Sequence, residues 1–297
     1  MKLEHVLIYG MGLMGGSLSL AIRESFPNAK VTAVVRSLRS KQSILEKKLA
    51  ETAFTLEDKE NIDFGQFDLV VFSTPVASLV SLIPSLPKGN STIYMDLGST
   101  KQTIVEAVDR HFGEYEHNYI SAHPMCGSEQ TGPEAAIPGL YRDKLCILTK
   151  PKHGSQFAME FAKKFWETIG SWTISMDAKV HDETLAYVSH LPHVISTILV
   201  NVAGKNETTM DQVASITRPI TGGGFRDMSR IAGSNAEMWI SIFKENKTFL
   251  KHSIDDFIEQ LTIFRNLFLD ETNLDEAKIK SIWDLALKHK ETIQKTK

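Results

Sequence analysis

Apolar residues over the first 176 positions fall into short runs separated by segments of helical spacing. The runs 6–9, 30–35, 67–75, 91–96, 119–122, 144–149 and 172–176 are rich in Val, Ile, Leu and Phe, as buried strands require. Between them, 17–23, 40–50, 79–86, 101–112 and 155–169 place apolar residues at helical intervals. This alternation predicts an open, mostly parallel sheet with helices on both faces, a doubly wound α/β domain over 1–177. From 178 to 297 the strand runs stop and helical period takes over, predicting a second, all-α domain.

Within that second half, 177–204 reads as one helical stretch kinked at Pro192, with Gly204 as its stop. Ser234-Asn-Ala-Glu237 matches a capping box. The helix it opens carries Phe243, Leu250, Ile254, Phe257, Leu261, Phe264 and Phe268 along one seam. A helix of about 35 residues would be roughly 50 Å long. That is more than a small domain covers, so a twofold dimer is expected, the alternative being burial of the seam under the chain's last helix, 275–297.

The first strand runs into Gly10-Met-Gly-Leu-Met-Gly15. A strand, a glycine-rich bend and a helix together turn backbone N–H groups and a helix N-terminus toward a pyrophosphate, the Rossmann-like arrangement. Gly10, Gly12, Leu13, Met14 and Gly15 are therefore candidate cofactor-binding residues. Twenty-one residues past Gly15, where a carboxylate would hold an adenine ribose, stands Arg36, followed by Ser37 and Arg39. Arginine there suits a 2′-phosphate, so NADP is expected over NAD; a solvated charged turn is the other reading of the same residues.

The chain's net charge of −3 and its scattered lysines offer no basic field for nucleic acid. The N-terminus enters directly into a strand, and no 18 uninterrupted apolar residues occur, so a cytoplasmic protein without membrane contact is expected. Cys126 and Cys146 are too few for a disulfide framework and lack the histidine spacing of a zinc site.

Ligands of open parallel sheets bind beyond the carboxyl ends of the strands. Three loops there carry polar residues: Ser73-Thr-Pro75, Asp96-Leu-Gly-Ser-Thr-Lys101, and Ala122-His-Pro-Met-Cys-Gly-Ser-Glu129. His123, at a strand end before a proline, is a candidate general base, or a structural histidine. In the helical half, His190 and His193 share a face around Pro192, and three glycines precede Arg226 and Arg230, whose guanidinium forks suit carboxylates.

The glycine turn, Asp96-Leu-Gly-Ser-Thr-Lys101, His123-Pro-Met-Cys-Gly-Ser-Glu129, Ser189-His-Leu-Pro-His193 and Gly222-Gly-Gly-Phe-Arg-Asp-Met-Ser-Arg230, in this order, resemble the prephenate and arogenate dehydrogenases of tyrosine biosynthesis. The resemblance implies a dinucleotide-binding domain followed by a helical dimerisation domain. It also implies oxidative decarboxylation of prephenate or arogenate, with hydride passing to NADP or NAD. By the same resemblance His123 takes the proton of the ring C4 hydroxyl, Ser99 supports that hydroxyl, and His193 stands on the substrate side. Arg230 holds the ring carboxylate, Ser128 and Glu129 line the pocket, and Arg226 reaches a neighbouring subunit's site. A β-hydroxy acid dehydrogenase of related two-domain fold also accommodates Ser73-Thr-Pro75 but leaves the histidine motifs unexplained. A regulator that binds NADP without turnover is the non-enzymatic alternative.

Overall fold

The computed structural model of the 297-residue chain describes residues 2–128, 130, 132–269 and 274–294, without the side chains of 59–61. It divides into two compact units, Met1–Lys247 and Thr248–Lys297.

The first unit opens with β1 (His5–Tyr9), α1 (Leu13–Ser25), β2 (Lys30–Val35), α2 (Leu38–Glu46), β3 (Thr52–Thr55), β4 (Leu69–Phe72), α3 (Val76–Leu82) and β5 (Ile93–Asp96). It continues with α4 (Gln102–Phe112), β6 (Tyr119–Pro124), β7 (Leu145–Thr149), α5 (Gln156–Thr168) and β8 (Trp172–Ser175). The eight strands form one sheet in the order β3-β2-β1-β4-β5-β6-β7-β8. All neighbours are parallel except β6 and β7. An antiparallel step needs no crossover helix, which is why only loop and a short 3-10 turn separate those two strands.

Alternation along the strands sends side chains into two core layers. Val6 and Ile8 of β1 join Val31, Ala33, Leu69 and Val71 beneath Leu18 and Ile22 of α1 and Phe165 and Trp166 of α5. Leu7 and Tyr9 join Val70, Phe72 and Tyr94 beneath Leu79 of α3 and Ile104, Val108 and Phe112 of α4. Burial on both faces is what makes the strands read as unbroken apolar runs.

Three local features differ from the sequence expectations. The edge strand β3 was not expected, since Thr52-Ala-Phe-Thr55 is too short to stand out, and α2 ends at Glu46 rather than running to residue 50. The irregularity expected at Pro192 takes the form of a π turn ahead of it: α6 (Ala178–Leu185) passes through a π turn at Ala186–His190 into α7 (Leu191–Lys205). Pro192 has no N–H to give back to the preceding turn of this continuous run, and the ladder is irregular there.

The helical half continues with α8 (Glu207–Ser215), α9 (Gly223–Ser229) and α10 (Ala236–Glu245). The cap of α10 is Asn235, whose Oδ1 accepts the Met238 N–H at 3.0 Å; Ser234 instead donates to the Ile231 carbonyl. The long seam helix is interrupted at Asn246, which leaves helical geometry (φ −111°, ψ 27°). Its remainder, α11 (Lys247–Asn266), precedes α12 (Glu276–Ile293), and in the second unit Phe264 packs on Phe268 and on Trp283, with ring centroids 5.6 and 5.9 Å apart.

The continuous helical run Ala178–Lys205 is long and apolar enough to cross a membrane by length and composition. Its first part is committed to packing inside the first unit, where His181, Asp182, Leu185 and His190 are buried. Its second part exposes Ile198, Val200 and Val202.

Candidate functional site

The glycine turn crosses the carboxyl end of β1. Gly10 holds φ +97°, and an added Cβ would lie 2.6 Å from the Ser73 carbonyl oxygen. At Gly15, on the first turn of α1, an added Cβ would lie 2.0 Å from the Gly10 carbonyl oxygen, so only glycine lets helix and strand pack this closely. Gly12 differs: a Cβ there would meet nothing within 4 Å. Its backbone faces open space at a helix N-terminus, the cradle a pyrophosphate requires.

That space is a cavity of about 690 Å³ lined by Gly10, Gly12, Arg36, Ser37, Ser73, Thr74 and Pro75, seven of the sequence-derived cofactor candidates. Arg36 and Ser37 close its far end past β2. Ser37 also caps α2, accepting the Ser40 N–H at 3.2 Å. Among the described residues, its lining contains no carboxylate. Leu13 and Gly15 are buried beside the turn. Arg39 is not in the lining; it stands on the first turn of α2, near Glu134.

Met14 and the shared wall Ser73-Thr-Pro75 continue into an adjoining cavity of about 540 Å³, which also contains Ser99. Its opposite wall is α10, through Asn235, Glu237, Met238, Ser241, Ile242 and Glu245. The two cavities thus form one cleft along the carboxyl ends of the strands, where the sheet rule places a ligand.

His123 sits on β6, its ring only partly exposed. The loop carrying Ser99 is tied to β6 from below by Lys101. The Lys101 ammonium, fully buried, donates to Asp96 Oδ1 at 2.5 Å, to Ser121 Oγ at 2.9 Å and to the Ala122 carbonyl at 2.8 Å. The Ser121 hydroxyl donates in turn to Asp96 Oδ2 at 2.5 Å. A buried ion pair completed by further hydrogen bonds is a rigid device, and removing one partner would strand a charge. It fixes the backbone on which His123 stands.

Behind His123 is a residue set that sequence reading missed. His123 Nδ1 lies 2.8 Å from Nε2 of His181, and His181 Nδ1 lies 2.7 Å from Asp182 Oδ1. Asp182 also accepts the backbone N–H groups of Lys101 at 2.7 Å and Gln102 at 2.9 Å, so it caps α4 from another helix. The signal available in sequence was only an adjacent His-Asp pair at the start of a helix, 58 residues from His123. Burial, with the neighbouring His181 and Lys101, holds His123 well below the ordinary imidazole range. Burial also lowers His181, despite the raising effect of Asp182. Both rings are neutral near pH 7, the state a general base requires.

His193 belongs to a second cluster, on α7, facing a groove of about 280 Å³ with Ser234 and Trp239. Its ring lies on Trp239, centroids 3.8 Å apart, and Ser234 Oγ is 3.5 Å from its Nδ1. Burial lowers His193 despite the raising effect of the Ile231 backbone, and the Arg230 charge adds to the lowering. The two clusters are joined through His190, whose ring meets Trp239 edge-on at 5.9 Å and whose Nδ1 lies 3.1 Å from the Asn246 amide. That amide also donates to the Asp182 carbonyl at 2.7 Å. Arg226 and Arg230 are exposed on and just after α9, Arg226 donating to the Thr221 carbonyl at 2.5 Å. Ser128 is partly exposed and accepts the Gln130 N–H; Glu129 lies outside the described residues.

Comparison with known proteins agrees over most of the chain. Residues 18–175 match the family model of the prephenate dehydrogenase nucleotide-binding domain, and residues 177–276 match that of the prephenate dehydrogenase dimerization domain. The cyclohexadienyl dehydrogenase of Zymomonas mobilis is 30% identical over 88% of this chain and 87% of its own. The prephenate dehydrogenase of Bacillus subtilis is 26% identical over 88% of this chain and 69% of its own. Among solved structures, prephenate dehydrogenase from A. aeolicus, in complex with hydroxyphenyl propionate and NAD+, superposes with a TM-score of 0.81. It is 26% identical and covers 98% of this chain and 99% of its own. A glycine-turn cleft that fits a nicotinamide dinucleotide, a histidine near the carboxyl end of β6 and this agreement lead to one conclusion: the chain belongs to the prephenate dehydrogenase family, NAD(P)-dependent enzymes that oxidatively decarboxylate prephenate or arogenate.

Proposed function

We propose that this enzyme binds NADP in preference to NAD and uses His123 as the base that takes the C4 hydroxyl proton of prephenate or arogenate. The observation that carries the proposal is the pairing of an Arg36- and Ser37-lined cofactor cavity, without a carboxylate among its described lining residues, with a hydrogen-bonded His123 on the same sheet. When bound, the nicotinamide accepts hydride from C4. His123 removes the hydroxyl proton as that carbon is oxidised, Ser99 hydrogen-bonds the same hydroxyl, Arg230 holds the ring carboxylate lost as CO₂, and His193 is a second histidine on the substrate side. Aromatisation of the ring supplies the driving force, so the protein's work is orientation and electrostatics.

The remaining assignments follow the same reading. Ser128 is a substrate-side residue, as expected of Glu129, which lies outside the described residues, and Arg226 reaches the site of a second subunit. The exposed apolar side chains of α7 and α10, Ile198, Val200, Val202, Met238 and Ile240, support a homodimer in which the helical half of each chain is shared. A cytoplasmic location accords with two reduced cysteines, and small molecules rather than nucleic acid are the ligands.

Steady-state kinetics crossing both cofactors with both substrates tests the proposal. Arg36→Ala should raise KM for NADP about tenfold or more, the worth of one charge-assisted hydrogen bond, and leave KM for NAD unchanged. A wild-type enzyme with a large advantage for NAD contradicts the cofactor assignment.

A further inference from the structure

We propose that His181 and Asp182 are positioning residues that lock His123 into the one tautomer able to act as a base. The inference rests on the assignment of His123 as the base, and deepens it.

Both oxygens of Asp182 are engaged as acceptors: Oδ1 by the Lys101 N–H and Oδ2 by the Gln102 N–H. A carboxylate so used has no hydrogen to give, so at the 2.7 Å contact the donor is His181 Nδ1. A neutral His181 that carries its hydrogen on Nδ1 has a bare Nε2. At the 2.8 Å contact with His123 that bare nitrogen accepts, which places the His123 hydrogen on Nδ1. The remaining nitrogen of His123, Nε2, is then left with a free lone pair. Reversing any link would set two hydrogens, or two lone pairs, against each other in a site from which His181 and Asp182 are almost wholly shielded.

The same relay serves the protonated state. After proton transfer, the imidazolium of His123 keeps its Nδ1–H on His181, whose own Nδ1–H remains on the Asp182 carboxylate. This resembles the orienting role of the aspartate in a hydrolase triad, with one imidazole inserted between carboxylate and base. The other groups facing this assembly are fixed already. The Lys101 ammonium is taken up by Asp96, Ser121 and Ala122, and the His190 Nδ1 by Asn246. Cys146, on the neighbouring strand β7, is a neutral thiol pushed well above its ordinary range by burial. None of these competes for the His123 Nδ1 hydrogen. The placement of Asp182 at the start of α4, next to the Ser99 loop, also explains why the relay holds position, since Asp182 cannot turn without uncapping that helix.

The experiment uses the intact enzyme labelled with ¹⁵N-histidine, whose ring nitrogen shifts report which nitrogen carries hydrogen, together with kinetics of two variants. In the wild type, His123 should give a protonated Nδ1 and an unprotonated Nε2. His181→Gln keeps a carbonyl acceptor for the His123 Nδ1–H and should retain most of kcat and the same tautomer. His181→Phe keeps the ring volume but removes the acceptor; it should lower kcat roughly 10²-fold, with KM and cofactor affinity within about twofold, and give mixed tautomers. If the phenylalanine variant fails to fold, Asp182→Asn takes its place, since its amide supplies a hydrogen where the relay needs an acceptor. A wild-type His123 carrying hydrogen on Nε2, or a relay-broken variant with unaltered kcat, overturns the proposal. Failure of the base assignment itself reads differently: His123→Asn would then keep its turnover while the wild-type tautomer stayed as derived.

Discussion

At the scale of single residues, the site divides into groups that act on the reacting carbon and groups that hold charge. Replacing His123 by Asn should lower kcat by roughly 10²–10⁴ with little change in KM, as loss of a general base does. Stopped-flow measurement of cofactor reduction checks this, and unchanged turnover removes His123 from the role. Arg230 is exposed and free to meet a ligand carboxylate, so Arg230→Gln should act chiefly through KM. A kcat loss at constant KM would contradict the carboxylate assignment. His123 and Arg230 stand out in sequence as candidates because each lies in a short motif with its own chemistry. His181 and Asp182 do not, because their contact with His123 is a hydrogen-bond chain between helix and strand that spacing along the chain does not encode.

Among elements, the glycine turn is the most constrained. Gly15→Ala would place a methyl group 2.0 Å from the Gly10 carbonyl oxygen, which backbone cannot yield to cheaply. The variant should lose cofactor affinity by at least tenfold and melt at lower temperature, measurable by cofactor titration and calorimetry. The joint between α10 and α11 is a second case. Asn246 donates to the Asp182 carbonyl, which also accepts the Ala186 N–H, and to the buried His190 Nδ1, so Asn246→Ala should cost about 1–3 kcal/mol in chemical denaturation by leaving the His190 ring nitrogen without its donor. The seam from Phe243 to Phe268 was readable as apolar spacing, but its interruption was not. An asparagine inside a helical pattern looks like any other polar position until its side chain is seen capturing groups from another helix. Similarly β3 escaped notice because four residues with one aromatic and two threonines carry too little periodicity, whereas the long β-branched run of β2 was read to the residue.

For the whole molecule, pH should act through buried histidines. His117 is lowered from 6.5 to about 4, by burial first and then by its neighbours His153 and His111; its Nδ1 accepts the Tyr119 N–H. His190 is lowered to about 4 by burial. Between about pH 4 and 6.5 the unfolded chain binds protons that the folded one excludes, so stability is full above 6.5 and declines as pH falls toward 4. Melting temperature followed across that window should drop, and a flat profile would contradict the neutral, buried state of both rings. The exposed apolar face of the helical half predicts a dimer by sedimentation at micromolar concentration, which a monomer would refute. The doubly wound architecture was apparent from alternating runs in all but its edge strand β3, because a sheet buried on both faces writes itself into composition. The proposed dimer rests on an excess of apolar helix surface, a weaker signal in sequence.

The central claim is that the strand-end cleft and His123 carry out one coupled oxidation and decarboxylation. The most direct measurement adds prephenate, and separately arogenate, to the enzyme with NADP, following nicotinamide absorbance and released CO₂ together. One reduced cofactor for each CO₂ with at least one of the two substrates, and both products slowed together by roughly 10²–10⁴ in His123→Asn, is the predicted result. Cofactor that binds yet stays oxidised with both substrates would contradict the account.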